Sequence, residues 1–279
     1  MKPTVKVKYT NGAGNNIFQY VYARLLAESN GCNLSTDRLS ILDIEESNFK
    51  FSDMHSVIKI SLDEKNFHKY MGNDNASNYV VHTYPEDYTI YKPHLDKIRS
   101  WFKDVPKVNT KDLVFHLRMG DRLLYKRDHH PSMKVSPEEY CEAINSFNYD
   151  RLHIVTDMPC FKKIDEEELS NMKFHVSVSK ENMVSLSVAV DYWNSIFESL
   201  SQYNPIVRFG NSVKSDFEYI RSFDQILFQH GTLAWWGATL SHASKVGVYG
   251  PWRPIKIENN KNLGKTDYEG WFSWGGLKT

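Results

Sequence analysis

Short runs of β-branched and aromatic residues alternate along this chain with stretches of helical spacing, and that alternation restricts the fold more than any other feature. Residues 4–10 read as a first strand, Asn11 to Asn16 as a glycine and asparagine turn, and Ile17 to Ser29 as a helix. Ile17, Tyr20, Val21, Leu25 and Leu26 carry the apolar spacing of that helix. The pattern resumes with a strand at 112–118, a helix over 137–147 that Ser136 can cap, and a strand at 151–155. A helix over 160–172, a strand at 173–178, a helix over 216–223 and a strand at 225–228 follow. Gly231 then opens a helix, and Lys245 to Tyr249 supply one more strand before Pro251. Such alternation argues for an α/β fold with parallel sheets covered by helices and right-handed crossovers. From Asp37 to about Pro106 the periodicity is weak, and no elements are assigned there.

A length of 279 residues suits two modest domains. The restart of the βαβ pattern near residue 110 sets the expected division at 1–109 and 110–279. Lys plus Arg and Asp plus Glu are both 34, so no excess positive field exists to recruit nucleic acid or an acidic membrane. Cys32, Cys141 and Cys160 are too scattered for a zinc site or a disulfide framework and suggest a reducing compartment. No apolar run is long enough for a signal peptide or a membrane span, so a soluble cytoplasmic protein, or the excised soluble part of an anchored one, is expected.

The strand Val114-Phe115-His116-Leu117 ends abruptly in Arg118-Met119-Gly120-Asp121-Arg122, a cluster of charge around one glycine. In an open α/β sheet, ligands collect beyond the carboxyl ends of the strands, so these side chains lie where a crevice would open. The planar fork of arginine can donate two hydrogen bonds to one phosphate, which points to an anionic ligand.

Two other elements suit an anion. The Gly12-Ala13-Gly14-Asn15-Asn16 turn precedes a helix whose first N–H groups are free to bind. Gly231-Thr232 opens another helix, where a hydroxyl and backbone amides converge. Gly12 and Gly14, with Asp37 further on, also keep open an NAD-dependent oxidoreductase, although Ile17 stands where the dinucleotide fingerprint has its third glycine.

Taken in order, these segments resemble one family. Gly12 to Tyr20 followed by Ala23-Arg24 resembles the Gly-Leu-Gly-Asn-Gln-Met-Phe-Gln-Tyr opening of the α1,2-fucosyltransferases. His116 to Asp121 is similar to their His-x-Arg-Arg-Gly-Asp motif, shared more loosely by α1,6- and protein O-fucosyltransferases. Ile154 to Pro159 resembles the family's Phe-Ser-Asp-Asp-x-Pro strand end. Asp216-Phe217, Asp224 and Thr232 to Ala238 keep its spacing of two acidic residues and a Thr-Phe-Ser-Trp-Trp helix start. Asn16, Met119 and Ala234 depart from the family's residues, which bears on the acceptor and the sugar more than on the nucleotide.

The resemblance implies two Rossmann-like domains in a GT-B type architecture, with residues 1–109 on the acceptor side and 110–279 binding the donor. It implies inverting transfer of L-fucose from GDP-L-fucose to a hydroxyl of a glycan, with no cofactor and no metal. Arg118 would grip the β-phosphate, with His116 beside it on nucleotide or sugar, Asp157 steadying the guanidinium, and Thr232 binding the phosphates from the other side. Asp216 would read guanine, whose N1–H and amino group a carboxylate can accept together; a helix N-cap is its alternative role. Gly14 and Asn15 complete the binding set, Asn15 resembling an asparagine near the reacting hydroxyl in protein O-fucosyltransferases. Asp121, Asp128, His129 and His130 are the candidate bases, with pairing to Arg118 or Arg122 as the other role open to Asp121. A transferase for another GDP-sugar, or a catalytically weak nucleotide- or glycan-binding protein, is the alternative.

Overall fold

The structure, a computed structural model, describes residues 2–10, 12–61, 64, 66–72, 77–126, 135–174, 178–249, 257–258, 265–266 and 271–274. The chain divides into two compact units, 1–104 and 105–279.

In the first unit β1 (Thr4–Val7) runs into helix α1 (Ala13–Ser29) and returns as β2 (Asn33–Ser35), parallel to β1. The glycine turn is shorter than its sequence suggests: Gly12 is already the N-cap, in extended conformation, and Gly14 to Asn16 form the first helical turn. Alanine at the start, the absence of proline and a continuous apolar stretch carry the helix through to Asn30, after which Gly31 turns the chain with φ +62°. Buried residues lie all round α1, as in a helix covered on most sides. Strands β3 (Val57–Ile60) and β4 (Asn78–Val81) complete a parallel sheet in the order β2-β1-β4-β3. Short helices α2 (Tyr88–Tyr91) and α3 (Leu95–Ser100) end the unit.

The second unit contains β5 (Asn109–Leu117), α4 (Pro137–Asn145), β6 (Leu152–Thr156), α5 (Glu166–Asn171), α6 (Leu186–Ser201), β7 (Ile206–Arg208), α7 (Val213–Arg221), β8 (Phe223–Phe228), α8 (Thr232–Thr239) and β9 (Lys245–Tyr249). Beyond these lie β10 (Ile257–Glu258), β11 (Lys265–Thr266) and β12 (Trp271–Trp274). The sheet order is β10-β11-β12-β9-β8-β5-β6-β7, and only β10 and β11 join it in antiparallel fashion. Read as β7-β6-β5-β8-β9-β12, the parallel part has the 3-2-1-4-5-6 order of a Rossmann fold. The chain therefore reverses direction across the sheet between β5 and β8, and loops from those two strands flank the switch point.

The first sheet is parallel throughout and the second is parallel apart from β10 and β11, so the α/β class expected from the alternation is what the structure contains, and the second unit is Rossmann-like. Ser136 caps α4 as expected, in a reciprocal box with Glu139. Three expectations need correction. The helix expected over 160–172 is only α5, opened by the capping box of Asp165 and Glu168. Lys173, Phe174 and Val178 lie in no strand, and 175–177 fall outside the described residues. The long helix α6 was not anticipated; it buries Ala189, Val190, Trp193, Ile196 and Leu200 in the core of the second unit, beside α4 and α5, and its Ser185 cap accepts from the Val188 amide.

Candidate functional site

All the parallel strands of the second unit point the same way, so their carboxyl ends share one edge of the sheet. His116 pairs in register with Phe228 across β5 and β8, and with Val155 across β5 and β6. The segments after β5, β6 and β8 therefore leave the sheet side by side. Arg118 to Arg122, Asp157 and Gly231-Thr232 are brought to that edge by topology alone.

Arg118 is the hub. One terminal nitrogen pairs with Asp121 and the other with Asp157. Asp157 is fixed in turn, because its Oδ1 accepts the amides of Met119 at 2.7 Å and Gly120 at 3.0 Å. The carboxylate after β6 thus clamps both the backbone and the guanidinium of the loop after β5. Of the five N–H donors of a guanidinium, two are engaged in this way. Gly120 explains itself: a Cβ there would overlap Asp157 Oδ2 and lie 2.9 Å from its Cγ and 3.0 Å from Arg118 Nη1. Met119, where the resembled motif has a second arginine, is fully buried in the core.

Asp121 is 2% exposed and faces two arginines, with Arg122 Nε 3.8 Å from its Oδ2. A buried carboxylate so committed is poorly placed to take a proton from an incoming hydroxyl. Its geometry favours the structural alternative, holding Arg118 and Arg122. The four groups sum to zero charge, so oriented donors, more than a net positive field, must provide any affinity for an anion. Asp128, His129 and His130 lie outside the described residues.

His116, the penultimate residue of β5, is buried, and its Nδ1 has no hydrogen-bond partner among the described residues. Burial, reinforced by Arg118, pushes its pKa down to about 3, so the ring is neutral. A Cβ on Gly231 would stand 3.8 Å from His116 Cε1. The start of α8 therefore approaches the imidazole closely. Gly231 has φ +125°, a conformation few other residues adopt, and its lack of a side chain leaves the amides of the first turn open. Thr232 is the first residue of α8, half-buried. Behind it Trp235 and Trp236 are fully buried and meet edge to face at 4.7 Å, anchoring the helix in the core.

Asp216 is not the N-cap of its helix. Ser212 caps α7 by accepting the Ser215 amide at 3.2 Å, and Asp216 sits in the first turn. Its carboxylate lies 3.6 Å from Nε of Arg208, the last residue of β7, on the same carboxyl edge as the groups above. Burial raises the Asp216 pKa against the opposing influence of Arg208. Arg208 was not singled out from the sequence; the signal present there is an arginine ending the β-branched run Ile206-Val207 just before Gly210. Asp224 does not join this group. It stands near the amino end of β8, bound to Lys107 and Ser244.

Gly14 and Asn15 belong to the first unit, in the first turn of α1, Gly14 buried and Asn15 half-buried. The loop before them is fastened by Gln19, a fully buried residue that donates to Lys8 O at 2.8 Å and accepts from the Thr10 amide at 3.0 Å. Asp37 is exposed, two residues past β2. Among the described residues no group of three or more His, Cys, Asp or Glu side chains is placed to hold a metal ion. No described helix is long and apolar enough to cross a membrane.

No family model matches the chain, and no curated protein matches it. Among solved structures, a similar chain is a mutant of Arabidopsis thaliana FUT1 in complex with GDP. The two are 10% identical, the match covers 91% of this chain and 72% of that one, and the TM-score is 0.46.

Proposed function

We propose that this protein is an inverting, metal-independent glycosyltransferase that moves L-fucose from GDP-L-fucose to a hydroxyl of a glycan. One observation carries the reading: Arg118, buttressed by Asp121 and Asp157, faces the switch point of a Rossmann-like sheet beside His116 and the opening turn of α8. That is the location at which such sheets hold nucleotides. The same residues make up the motifs that resemble the α1,2-fucosyltransferases.

In this mechanism the acceptor oxygen attacks the anomeric carbon as the bond to the β-phosphate oxygen breaks, through an oxocarbenium-like transition state, and the hydroxyl proton passes to the departing diphosphate or to water. Negative charge grows on the departing diphosphate, and the fixed guanidinium of Arg118 and the amides and hydroxyl of Thr232 stabilise it where it develops. Being already held by two carboxylates, Arg118 needs little reorganisation as the charge appears. Neutral His116 contributes a polar ring to the nucleotide or sugar. Asp216 accepts guanine N1–H and N2–H. The first unit, through Gly14 and Asn15, serves the acceptor side, and activity in the cytoplasm completes the reading.

Calorimetric titration with GDP, UDP and NAD in a chelating buffer tests the donor class. Binding of GDP above the others supports the proposal; indifference to GDP overturns it. A second reading, dinucleotide binding by the first unit, rests on Gly12 and Gly14 at the start of α1 and Asp37 just beyond β2. Preference for NAD in the same titration would favour it.

A further inference from the structure

Asp216 does not stand alone at the end of β7. Arg208 Nε and Asp216 Oδ1 are both buried, 3.6 Å apart, and neither atom has a hydrogen-bond partner among the described residues. The Arg208 guanidinium lies 4.0 Å from the centre of the Tyr219 ring and donates through Nη2 to Ser215 Oγ at 3.1 Å. Tyr219 is held from below. Its hydroxyl is 2.7 Å from His153 Nδ1, and His153 Nε2 is 3.0 Å from Asp112 Oδ2. A carboxylate only accepts, so Nε2 donates to Asp112. Phe223 packs edge-on against both rings, at 4.9 Å from His153 and 5.1 Å from Tyr219.

This chain of contacts spans three strands and a helix to fix a single arginine. Asp112 lies on β5, His153 on β6, Arg208 on β7 and Tyr219 on α7. An ion pair serving stability alone needs no such support. Asn211 also bonds to the Asp216 carboxylate, so what is left open is Nε beside Oδ1, a donor next to an acceptor, which is the complement of the guanine edge: O6 accepts, and the neighbouring N1–H and N2–H donate.

We propose that Arg208 reads guanine O6 while Asp216 reads N1–H and N2–H, and that Asp112, His153 and Tyr219 are positioning residues for Arg208. This rests on the GDP-sugar reading and deepens it by assigning base selectivity to a pair of residues. Arginine suits the task because its planar fork is directional and stacks on an aromatic face.

The test is calorimetric binding of GDP, 6-thio-GDP, IDP and inorganic pyrophosphate to the wild type and to Arg208→Met, Arg208→Lys, Tyr219→Phe and Asp216→Asn. Thio-substitution chiefly weakens the O6 acceptor, and IDP lacks only the amino group. Arg208→Met is expected to weaken GDP on the order of tenfold or more and to abolish the preference for GDP over 6-thio-GDP. Its preference for GDP over IDP and its affinity for pyrophosphate are expected to persist. Asp216→Asn is expected to do the reverse, losing the preference over IDP. Tyr219→Phe, which keeps the ring but cuts the link to His153, is expected to reduce the 6-thio-GDP discrimination in part. Retention of that discrimination in Arg208→Met overturns the assignment, and Arg208→Lys decides it should the methionine variant not fold. A wild type that binds GDP no better than pyrophosphate refutes the donor reading itself, an outcome distinct from either.

Discussion

Arg118 keeps its position because two carboxylates grip its fork, and one of them, Asp157, also fastens the backbone of the same loop. Gly120→Ala therefore tests the clamp without touching a charge. The added methyl meets Asp157 and Arg118, so turnover is expected to fall by an order of magnitude or more as the guanidinium is displaced from a productive geometry, with melting temperature recording the smaller cost in stability. His116 allows a test through pH. Its folded pKa of about 3 lies below the ordinary histidine value, so between the two the unfolded chain binds the extra proton. The stability of the neutral ring is full above the unfolded value and is lost as pH falls towards the folded one. Denaturant midpoints of the wild type are expected to fall more steeply than those of His116→Gln between about pH 7 and about pH 4; parallel curves would show that the ring is not buried as described. At this scale the sequence was most legible where chemistry is local. His116, Arg118, Asp157 and Thr232 stand out as charge, ring or hydroxyl at strand ends and a helix start, and the structure gathers them. The fixed role of Asp121 was open because two arginines lay within reach on paper, and only the burial of its carboxylate separates a partner from a base.

Helices and strands were legible where caps and periodicity agree, as with Ser136 at α4 or Gly231 before α8. They were misread where tertiary partners supply what local sequence lacks. In α1 the glycine pair reads as a turn, yet the loop before it is held by Gln19 from within the helix, so helical geometry begins at Ala13. The segment from Asp37 to Pro106 showed little periodicity because part of its backbone is satisfied by side chains: Asn78 accepts the amides of Thr4 and Ser52 and donates to the carbonyls of Ser52 and His55. Close packing between elements was also invisible. Gly247 on β9 would place a Cβ 2.8 Å from Leu227 Cδ1, 3.0 Å from Phe272 Cζ and 3.2 Å from Phe147 Cζ. Gly247→Ala is expected to lower stability by about 1–3 kcal/mol through overpacking, read as a shift in denaturant midpoint with unchanged slope. An unaltered midpoint would mean that these rings yield freely.

At the scale of the whole molecule, the residues proposed for the donor side all belong to the second unit, and Gly14 and Asn15 to the first. The parallel order of the second sheet followed from alternation in the sequence, but the switch point did not, because strand order depends on which neighbours pair and not on where strands begin. An assignment of roles to units makes a separable expectation. Asn15→Ala should slow transfer to an acceptor by roughly tenfold or more while leaving calorimetric GDP affinity unchanged; an equal loss of GDP binding would move Asn15 to the donor side. The central claim rests on the guanidinium at the switch point, and release of GDP from GDP-L-fucose, measured with chelator present for the wild type and Arg118→Ala, tests it most directly. The expected result is slow turnover by the wild type, with water or a glycan as acceptor, and a loss on the order of 10²–10³ in the variant. No turnover by the wild type, or equal rates from both proteins, would contradict the account.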